Sequence, residues 1–194
     1  FSFLRLSGAD PHVGVEMQST GEVACFGRDA HEAFLKGMLA SGLKLPRGPC
    51  GVLLSLGQKE DKQAFMPYVQ LLAGMGHTLY ATSGTAAFIE DNQPKGGPAI
   101  SVNVLHNAVT PKKPNVVSAI QAGQVQLVLT TPSTRDSRGA TAGYFLRRRA
   151  LDSGVAMVVD KRQAMMLVDA LYHKQGSQDE FWTYDSWQEC HRIG

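Results

Sequence analysis

Gly51-Val52-Leu53-Leu54-Ser55-Leu56 is a nearly continuous apolar run with the length of a β-strand. A strand with one face in water alternates apolar and polar residues, whereas this run is apolar at successive positions. Runs of this kind are typical of parallel sheets that are covered on both faces. The run therefore predicts a buried strand in a sheet with helices on both sides.

The residues after this run repeat a pattern of helix followed by strand. Apolar residues at helical spacing between positions 64 and 75 predict a helix, and Pro67 should lie near its N-terminal end, with a start around Asp61. Further strands are predicted at residues 79–82, 100–105, 125–129 and 155–159, and further helices at 86–91, 116–123, 144–153 and around 165–172. Five strands alternating with helices predict an α/β fold, a Rossmann-like three-layer domain with a parallel sheet.

The composition limits the classes of partner and compartment. Apolar residues make up 43% of the chain, and the formal net charge of +2 is too small to indicate a nucleic acid or an anionic membrane as a partner. No apolar run approaches the roughly 18 to 20 residues that cross a bilayer. Three cysteines, Cys25, Cys50 and Cys190, form neither a CxxC pair nor a disulfide framework. Free thiols indicate a reducing compartment, so we expect a cytoplasmic protein.

The second predicted strand runs directly into a hydroxyl-rich turn, Thr82-Ser83-Gly84-Thr85, which precedes a helix. Parallel sheets bind ligands beyond the carboxyl ends of their strands. Unpaired N–H groups at a helix start attract anions, and a glycine permits close approach. The turn therefore predicts a phosphate site. A simple helix cap by Thr82 or Ser83, with Gly84 making the turn, explains the same residues and stays open as the alternative.

Other polar residues fall at the same predicted edge of the sheet. Thr130 and Thr131 end the fourth strand, and Lys62 adds a positive charge after the first strand. Arg147 and Arg148 belong to a run of arginines on a predicted helix, where successive residues turn by about 100°, so at most one or two of them can face the site. A solvated helix face is the alternative for these arginines. Together the residues indicate an anionic ligand.

No residue at this edge predicts catalysis. Asp160 follows the fifth strand but is flanked by Lys161 and Arg162, which favours a structural ion pair. His106 follows the third strand, and an isolated histidine is more often structural than catalytic. The sequence contains no metal-ligand cluster and none of the common nucleophile or nucleotide-binding motifs. We therefore expect no catalytic residue and no metal site in this chain.

The N-terminal part departs from the repeated pattern. Residues 14–23 are too polar to form a core and too specific in order to be a linker. Asp29 and Glu32 have the spacing of a capping box, and apolar residues 34–39 predict a helix that ends before Gly42. Residues 44–49 then break the periodicity. The sequence thus predicts three parts, 1–46, 47–175 and a C-terminal extension at 176–194, and a first residue other than Met fits a piece of a longer chain.

Two segments of the chain together indicate a family. Ser7-Gly8-Ala9-Asp10-Pro11, followed by Glu16-Met17-Gln18-Ser19-Thr20-Gly21-Glu22-Val23, resembles the end of the second ATP-grasp half of carbamoyl-phosphate synthetase. Residues from about 51 to 174 resemble the C-terminal regulatory domain of that family, which has a methylglyoxal-synthase-like fold. The resemblance implies that residues 1–46 are the tail of the second ATP-grasp half and that residues 47–175 form an allosteric domain. Such a chain is part of a glutamine-hydrolysing ligase without a complete active site of its own.

The resemblance also implies a function. Enzymes of this family make carbamoyl phosphate from glutamine-derived ammonia, bicarbonate and two ATP with Mg²⁺ or Mn²⁺, and their regulatory domains bind effectors at the strand ends. UMP, UTP or phosphoribosyl pyrophosphate is the implied effector for pyrimidine biosynthesis, and N-acetylglutamate for the urea-cycle form. Hydroxyls and cations suit a phosphate better, which favours the pyrimidine route. The implied partners are the remaining synthetase and glutaminase domains, and this chain itself would hold no cofactor.

The family's effector contacts can be carried over residue by residue. They fall on the turn and its cation (Lys62, Thr82, Ser83, Gly84, Thr85), on the neighbouring turn (Thr130, Thr131) and on a basic pair of the helix (Arg147, Arg148). Relatives that bind nucleoside monophosphates carry a lysine in the third-strand segment, where this chain has Val104. Lys112 and Lys113 lie nearby, and Lys113 is the candidate to replace it.

Methylglyoxal synthase is the enzymatic alternative. Its reaction needs carboxylates that move protons, and the corresponding positions here are Pro114 and Pro132, which cannot titrate. The N-terminal motif is foreign to that enzyme and to the related domain of the purine-pathway cyclohydrolase. The regulatory region of the synthetase is therefore the preferred interpretation.

Overall fold

The computed structural model describes residues 5–6, 8–11, 23–94, 96–132 and 141–175. In chain order the elements are α1 (Ala30–Ala40), β1 (Gly51–Ser55), α2 (Lys59–Gly74), β2 (Thr78–Thr82), α3 (Ser83–Asp91), β3 (Asn103–Leu105), α4 (Val116–Gln121), β4 (Leu127–Thr130), α5 (Ala142–Asp152), β5 (Ala156–Val158) and α6 (Lys161–His173). The motif residues 16–22, the extension at 176–194 and Cys190 lie outside the described residues. None of the helices described here combines the length and the apolar character needed to cross a membrane.

The strands form one sheet in the order β3-β2-β1-β4-β5, and every neighbouring pair is parallel. Successive residues of a strand point to opposite faces. Accordingly, Val52 and Leu54 of β1 join the core cluster that includes α2 and α6, whereas Leu53 joins the cluster that includes α4 and α5. Helices cover both faces, which confirms the predicted three-layer α/β fold.

Two predicted boundaries are wrong for identifiable reasons. Helix α3 begins at Ser83, directly after β2, rather than at residue 86. Strand β3 begins at Asn103 rather than at residue 100. The backbone N–H and C=O of Ile100 instead bond to the side-chain amide of Gln93, at 2.8 and 3.0 Å. The hydroxyl-rich turn is therefore the first turn of a helix rather than a loop before one.

Pro67 lies in the middle of α2, not near its N-terminal end as predicted. A proline inside a helix removes one backbone donor, so the carbonyl one turn earlier loses its partner. That carbonyl belongs to Gln63, and both Gln63 and Pro67 are exposed. Water on this side of the helix can satisfy the carbonyl, so the helix continues through Pro67. Helix α2 begins at Lys59, two residues before the expected start at Asp61.

Aspartates cap two helices. Asp29 accepts a hydrogen bond from the N–H of Glu32 (2.9 Å), which confirms the predicted cap of α1, while the Glu32 carboxylate bonds to the N–H of residue 28 rather than completing the box. Asp160 caps α6 by accepting from the N–H of residue 163. Lys161 is paired with Asp61 (2.8 Å), so the predicted ion pair between Asp160 and its basic neighbours is wrong.

Helix α1 packs against α6 and shares the core of the sheet. Leu35 of α1 is fully buried, and Leu45 belongs to the same cluster as β1 and β4. The predicted division at residue 46 thus falls within a continuous core. The assignment of residues 1–46 to a neighbouring synthetase half stays a prediction.

Candidate functional site

A cavity of about 120 Å³ opens at the carboxyl ends of β1, β2 and β4. The helices that follow β1 and β4 cover opposite faces of the sheet, and parallel sheets open a crevice where connections diverge in this way. The strand ends contribute Ser55, Gly57, Thr82, Thr130 and Thr131 to the lining. The predicted edge of the sheet therefore holds a concave site, and it includes three of the four threonines that the sequence analysis singled out there, Thr82, Thr130 and Thr131.

The first turn of α3 has no side-chain cap. Thr82 is the N-cap residue with an extended backbone (φ −66°, ψ 150°), yet its side chain makes no capping hydrogen bond. The alternative in which Thr82 caps the helix is therefore wrong. The leading N–H groups of a helix have no partner within the helix, and the helix dipole adds to their positive potential. Ser83 and Gly84 are exposed, so this end of α3 is accessible to an anion.

Lys62 of α2 lies over this helix start. A Cβ atom placed on Gly84 would stand 3.8 Å from Lys62 Nζ and would meet no other described atom within 4 Å. The neighbouring Asp61 is paired with Lys161, and no ion pair between described residues involves Lys62. The structure therefore brings an ammonium group and uncapped amides to the two sides of an open gap. An alanine at residue 84 would narrow that gap.

The Thr85 hydroxyl has a structural role that the sequence analysis missed. Thr85 is 1% exposed, and its Oγ1 accepts a hydrogen bond from the N–H of Leu56 (3.0 Å). The same oxygen lies 3.4 Å from the Leu56 carbonyl and 3.5 Å from Thr82 Oγ1. The hydroxyl thus holds the backbone that follows β1 against α3. What Thr85 can offer to a ligand is its backbone N–H.

Thr130 and Thr131 hold the same backbone from the other side. The Thr130 hydroxyl donates to the carbonyl of Ser55 (2.9 Å), and the Thr131 hydroxyl accepts from the N–H of Gly57 (3.0 Å). Both threonines are at least 95% buried, yet both also line the cavity. Because Thr131 accepts through its oxygen, its hydroxyl proton stays available to a ligand. Thr130 and Thr131 therefore line the cavity and also hold the backbone beside it.

Arg147 and Arg148 point to the N-terminal segment. Arg147 is 1% exposed, so a solvated face is wrong for this residue, and its Nε donates to Asp10 Oδ1 at 2.7 Å. Arg148 donates to the carbonyl of Leu6 (3.0 Å) and to Asp152 (2.6 Å), and the latter bond raises the pKa of Arg148. Neither arginine belongs to the cavity lining. The described structure therefore does not place these arginines at the cavity where an effector contact was predicted.

Lys113 is exposed and lies on the segment between β3 and α4. It is not part of the cavity lining, although Asn107 and Ala108 of the same segment are. The start of α5 contributes Ala142 and Gly143. The rule that ligands bind after the strand ends identifies Asn107 in retrospect, because β3 ends only two residues earlier.

The described lining offers hydrogen-bonding groups rather than acids or bases. Hydroxyls, one side-chain amide and backbone groups make up its polar part, and among the described lining residues none is Asp, Glu, His or Cys. General acid–base chemistry needs a group that titrates near the working pH. The described lining therefore offers hydrogen-bond donors and acceptors to a ligand.

A half-buried thiol and imidazole lie at the opposite edge of the sheet. Cys50 precedes β1, and its N–H donates to His77 Nδ1 (3.1 Å) beside a small second cavity. Burial raises the pKa of Cys50 to about 11 and lowers the pKa of His77. Cys25 and Cys50 are both unpaired thiols in the described part of the chain. A thiol with a raised pKa is a poor nucleophile, so we assign this pair a structural role.

The part of the chain that forms most of the sheet matches a known family. Residues 64–159, which run from α2 to the end of β5, match the family described as the MGS-like domain. This chain carries an MGS-like domain. The matched range contains Thr82 to Thr85 and Thr130 to Thr131, whereas Lys62 lies just before it.

Similarity extends beyond the MGS-like domain. The chain is 39% identical over 184 residues to the multifunctional protein pyr1-3 of Dictyostelium discoideum, covering 91% of this chain and 8% of that protein. It is 36% identical over 172 residues to the carbamoyl phosphate synthase large chain of Archaeoglobus fulgidus, covering 88% of this chain and 15% of that one. These matches confirm the resemblance to carbamoyl-phosphate synthetase. The chain spans only a small part of the length of either relative.

A solved structure shows a more distant likeness to the MGS-like domain. Methylglyoxal synthase from Elizabethkingia anophelis is 19% identical to this chain, with a TM-score of 0.45, and the match covers 62% of this chain and 77% of that one.

Proposed function

We propose that this chain is the effector-binding, regulatory region of a carbamoyl-phosphate synthetase and that it binds a phosphorylated effector where the start of α3 adjoins the strand-end cavity. Thr82 lines that cavity, whereas Lys62, Ser83, Gly84 and Thr85 are not among its described lining residues. The observation that carries the proposal is the uncapped start of α3 facing Lys62 across the open gap at Gly84. A glycine inside a helix costs roughly 1 kcal/mol relative to alanine. No packing contact in the described structure requires one here. Close approach of a ligand to the helix amides explains its presence.

The proposed phosphate contacts come from three elements. The N–H groups of Ser83, Gly84 and Thr85 supply donors at the start of α3, and Lys62 supplies the positive charge. The Thr131 hydroxyl lines the cavity from β4. Hydrogen bonds to a charged phosphate oxygen are stronger than bonds between neutral groups. Such a set favours a phosphate over a neutral ligand.

Pyrimidine nucleotides such as UMP and UTP, or phosphoribosyl pyrophosphate, are the proposed effectors. The cavity continues from Thr82 towards Asn107, so a phosphate at α3 would place the rest of a nucleotide along the segment after β3. Lys113 on that segment is proposed to reach a second anionic group of the effector. N-acetylglutamate, the effector proposed for the urea-cycle alternative, has no phosphate group. It would therefore make fewer hydrogen bonds to the N–H groups at the start of α3 and to Lys62.

The whole protein is proposed to make carbamoyl phosphate from glutamine or ammonia, bicarbonate and ATP, in the cytoplasm, together with the remaining synthetase and glutaminase domains. The relatives that carry this region are many times longer than the present chain, which supports such partners. Effector binding would change the synthetase equilibrium through residues 43–51 and α1, whose apolar side chains share the core of the sheet. Couplings of this kind are typically about 1 to 3 kcal/mol.

The ATP and the Mg²⁺ or Mn²⁺ of the synthetase reaction do not fit the described part of residues 1–46. Its carboxylates are engaged with basic side chains, Asp10 with Arg147 and Glu32 with Lys36 (2.8 Å). A magnesium site needs carboxylate oxygens that are open to the ion and its water. We therefore assign no nucleotide or Mg²⁺ contact to these residues.

Calorimetric titration tests the proposal directly. The unsubstituted chain and the Gly84→Ala and Lys62→Met variants are each titrated with UMP, UTP, phosphoribosyl pyrophosphate and N-acetylglutamate. Gly37→Ala is the matched glycine control, since Gly37 also lies inside a helix and a Cβ there would meet no described atom within 4 Å. Lys59→Met, on the exposed first turn of α2, is the matched lysine control.

The expected result is saturable binding of a phosphorylated ligand that both site variants weaken by at least tenfold and both controls leave unchanged. Binding of N-acetylglutamate alone would move the protein to the urea-cycle class. Binding that survives in both site variants would contradict the assignment of the site. A well-folded chain that binds none of the four ligands would contradict the proposed function.

A further inference from the structure

Two histidines and an aspartate meet where α1 packs against α6, on elements that do not line the strand-end cavity. His31 lies in the first turn of α1, and Asp169 and His173 lie one turn apart near the end of α6. One ligand atom from each residue lies within 4.8 Å of the other two. We propose that these side chains form a binding site for a divalent transition metal ion, with Zn²⁺ as the expected ion.

The donor set suits such an ion. Imidazole nitrogens and carboxylate oxygens are ordinary ligands of Zn²⁺, and three protein ligands with one water complete a tetrahedral site. With metal–ligand bonds of about 2.0 to 2.2 Å, neighbouring ligand atoms of a tetrahedral site stand about 3.4 Å apart. His31 Nε2 and Asp169 Oδ2 are 3.2 Å apart. These two atoms already have the separation of two ligands of one ion.

Hydrogen bonding orients the second histidine for the same task. His173 Nδ1 lies 2.9 Å from the backbone oxygen of Asp169, and because a carbonyl oxygen only accepts, Nδ1 must carry the proton. The lone pair of neutral His173 is then on Nε2. Metal-binding histidines usually donate their other N–H in this way to a carbonyl or a carboxylate. His31 Nδ1 lies 3.9 Å from the carboxylate of Asp29, which is too long for such a hydrogen bond, so the Nε2 of His31 is placed by its contact with Asp169.

The cluster can close around an ion without disturbing the core. The side chains of His31, Asp169 and His173 are 25%, 37% and 51% exposed, and the two imidazole rings stack in parallel with centroids 4.4 Å apart. A tilt of the exposed His173 ring about its hydrogen bond to the Asp169 carbonyl therefore needs no repacking, and solvent supplies the fourth ligand. Because one ligand comes from α1 and two come from α6, the ion would join the two helices.

The sequence analysis expected no metal site, and the distance along the chain explains why. Asp169 and His173 show the spacing of one helix face, a weak signal by itself. His31 is 138 residues away from Asp169. Only the packing of α1 on α6 brings the third ligand to the other two.

Zinc titration of the whole chain, prepared without a histidine tag and stripped with a chelator, tests the site. Competition with a chromophoric chelator should give one Zn²⁺ per chain. His31→Gln and His173→Gln should each weaken zinc binding at least tenfold. Losing only the hydrogen-bond partner of a metal ligand already lowers metal affinity by about 10- to 100-fold. His106→Gln, which removes a histidine outside the cluster, should leave affinity unchanged.

Nitrogen NMR of the histidine rings provides a readout that needs no substitution. Zinc should shift the ring nitrogens of His31 and His173 and leave those of His77 and His106 in place. Zinc should also raise the thermal midpoint of the chain but not that of the His173→Gln variant. An absence of zinc binding, binding that survives both substitutions, or shifts confined to other histidines would overturn the proposal.

Discussion

Replacing Thr85 with valine should destabilise the fold without removing the proposed phosphate site. Valine has nearly the shape of threonine, so the change leaves no cavity and removes only the hydroxyl. The N–H of Leu56, at a residue that is 6% exposed, then loses its acceptor at 3.0 Å. A buried backbone donor without a partner costs about 1 to 3 kcal/mol. The second contact of this hydroxyl, 3.4 Å from the Leu56 carbonyl, is too long to add much.

The expected loss is thus about 2 kcal/mol in the free energy of unfolding. Urea unfolding, followed by circular dichroism, should show it as a midpoint lowered by about 1 M, given a slope of about 2 kcal/mol per M. Thr82→Val is the control. Its hydroxyl is partly exposed and its one described contact is 3.5 Å long, so its unfolding free energy should change by less than about 0.5 kcal/mol.

Ligand affinity should respond to the two substitutions in the opposite order from stability. Thr85→Val should keep its affinity for a phosphorylated ligand at temperatures where it is folded, because it retains the backbone N–H. Thr82→Val should lose affinity, because the Thr82 side chain lines the cavity. Equal midpoints for Thr85→Val and the unchanged chain would refute the structural role of the Thr85 hydroxyl. A Thr85→Val protein that is stable but binds no phosphate would support the direct contact that the resemblance implies.

Three further outcomes follow from described contacts. Asp10→Ala removes two hydrogen bonds from the buried Arg147 and should cost about 2 kcal/mol or more in urea unfolding; an unchanged midpoint would contradict this. Burial lowers the pKa of folded His77, so below about pH 6.5 the unfolded chain binds more protons, and stability should fall as the pH falls from there. His77→Gln should flatten that dependence, because glutamine does not titrate. Its amide oxygen can still accept from the N–H of Cys50, so the local hydrogen bond is kept. Gly51→Ala places a Cβ 1.7 Å from a backbone oxygen and should cost more than about 3 kcal/mol or prevent folding, as circular dichroism would show.

Local sequence features were enough to predict the sheet and the end of it at which the cavity lies. The run at residues 51–56 is apolar because both faces of β1 are covered, and that cause acts on every residue of the strand. The turn at residues 82–85 was likewise located by its neighbours along the chain. Periodicity and turn chemistry report on such local causes.

The roles of individual polar side chains depend on distant contacts and were predicted less well. Arg147 is buried because Asp10, 137 residues earlier, accepts its Nε–H, and no local pattern contains that information. The hydroxyl of Thr85 is likewise engaged by a backbone group 29 residues away. Residue type and position at the strand end correctly predicted that Thr82, Thr130 and Thr131 come together at one cavity. They could not tell a hydroxyl that supports the cavity wall from one that can face a ligand.

The packing of the N-terminal segment on the last two helices limits where this region can be cut for domain exchange. A chimaera joined at residue 46 would separate Asp10 from Arg147 and Asp29 from Lys174, and would strip α1 from a face that it covers. The grafted domain would begin with exposed core residues and unmatched charges. A transplant that carries residues 5–175 as one unit keeps these contacts within the donor sequence. For exchanging this region between relatives, the transferable piece is therefore longer than the family domain itself.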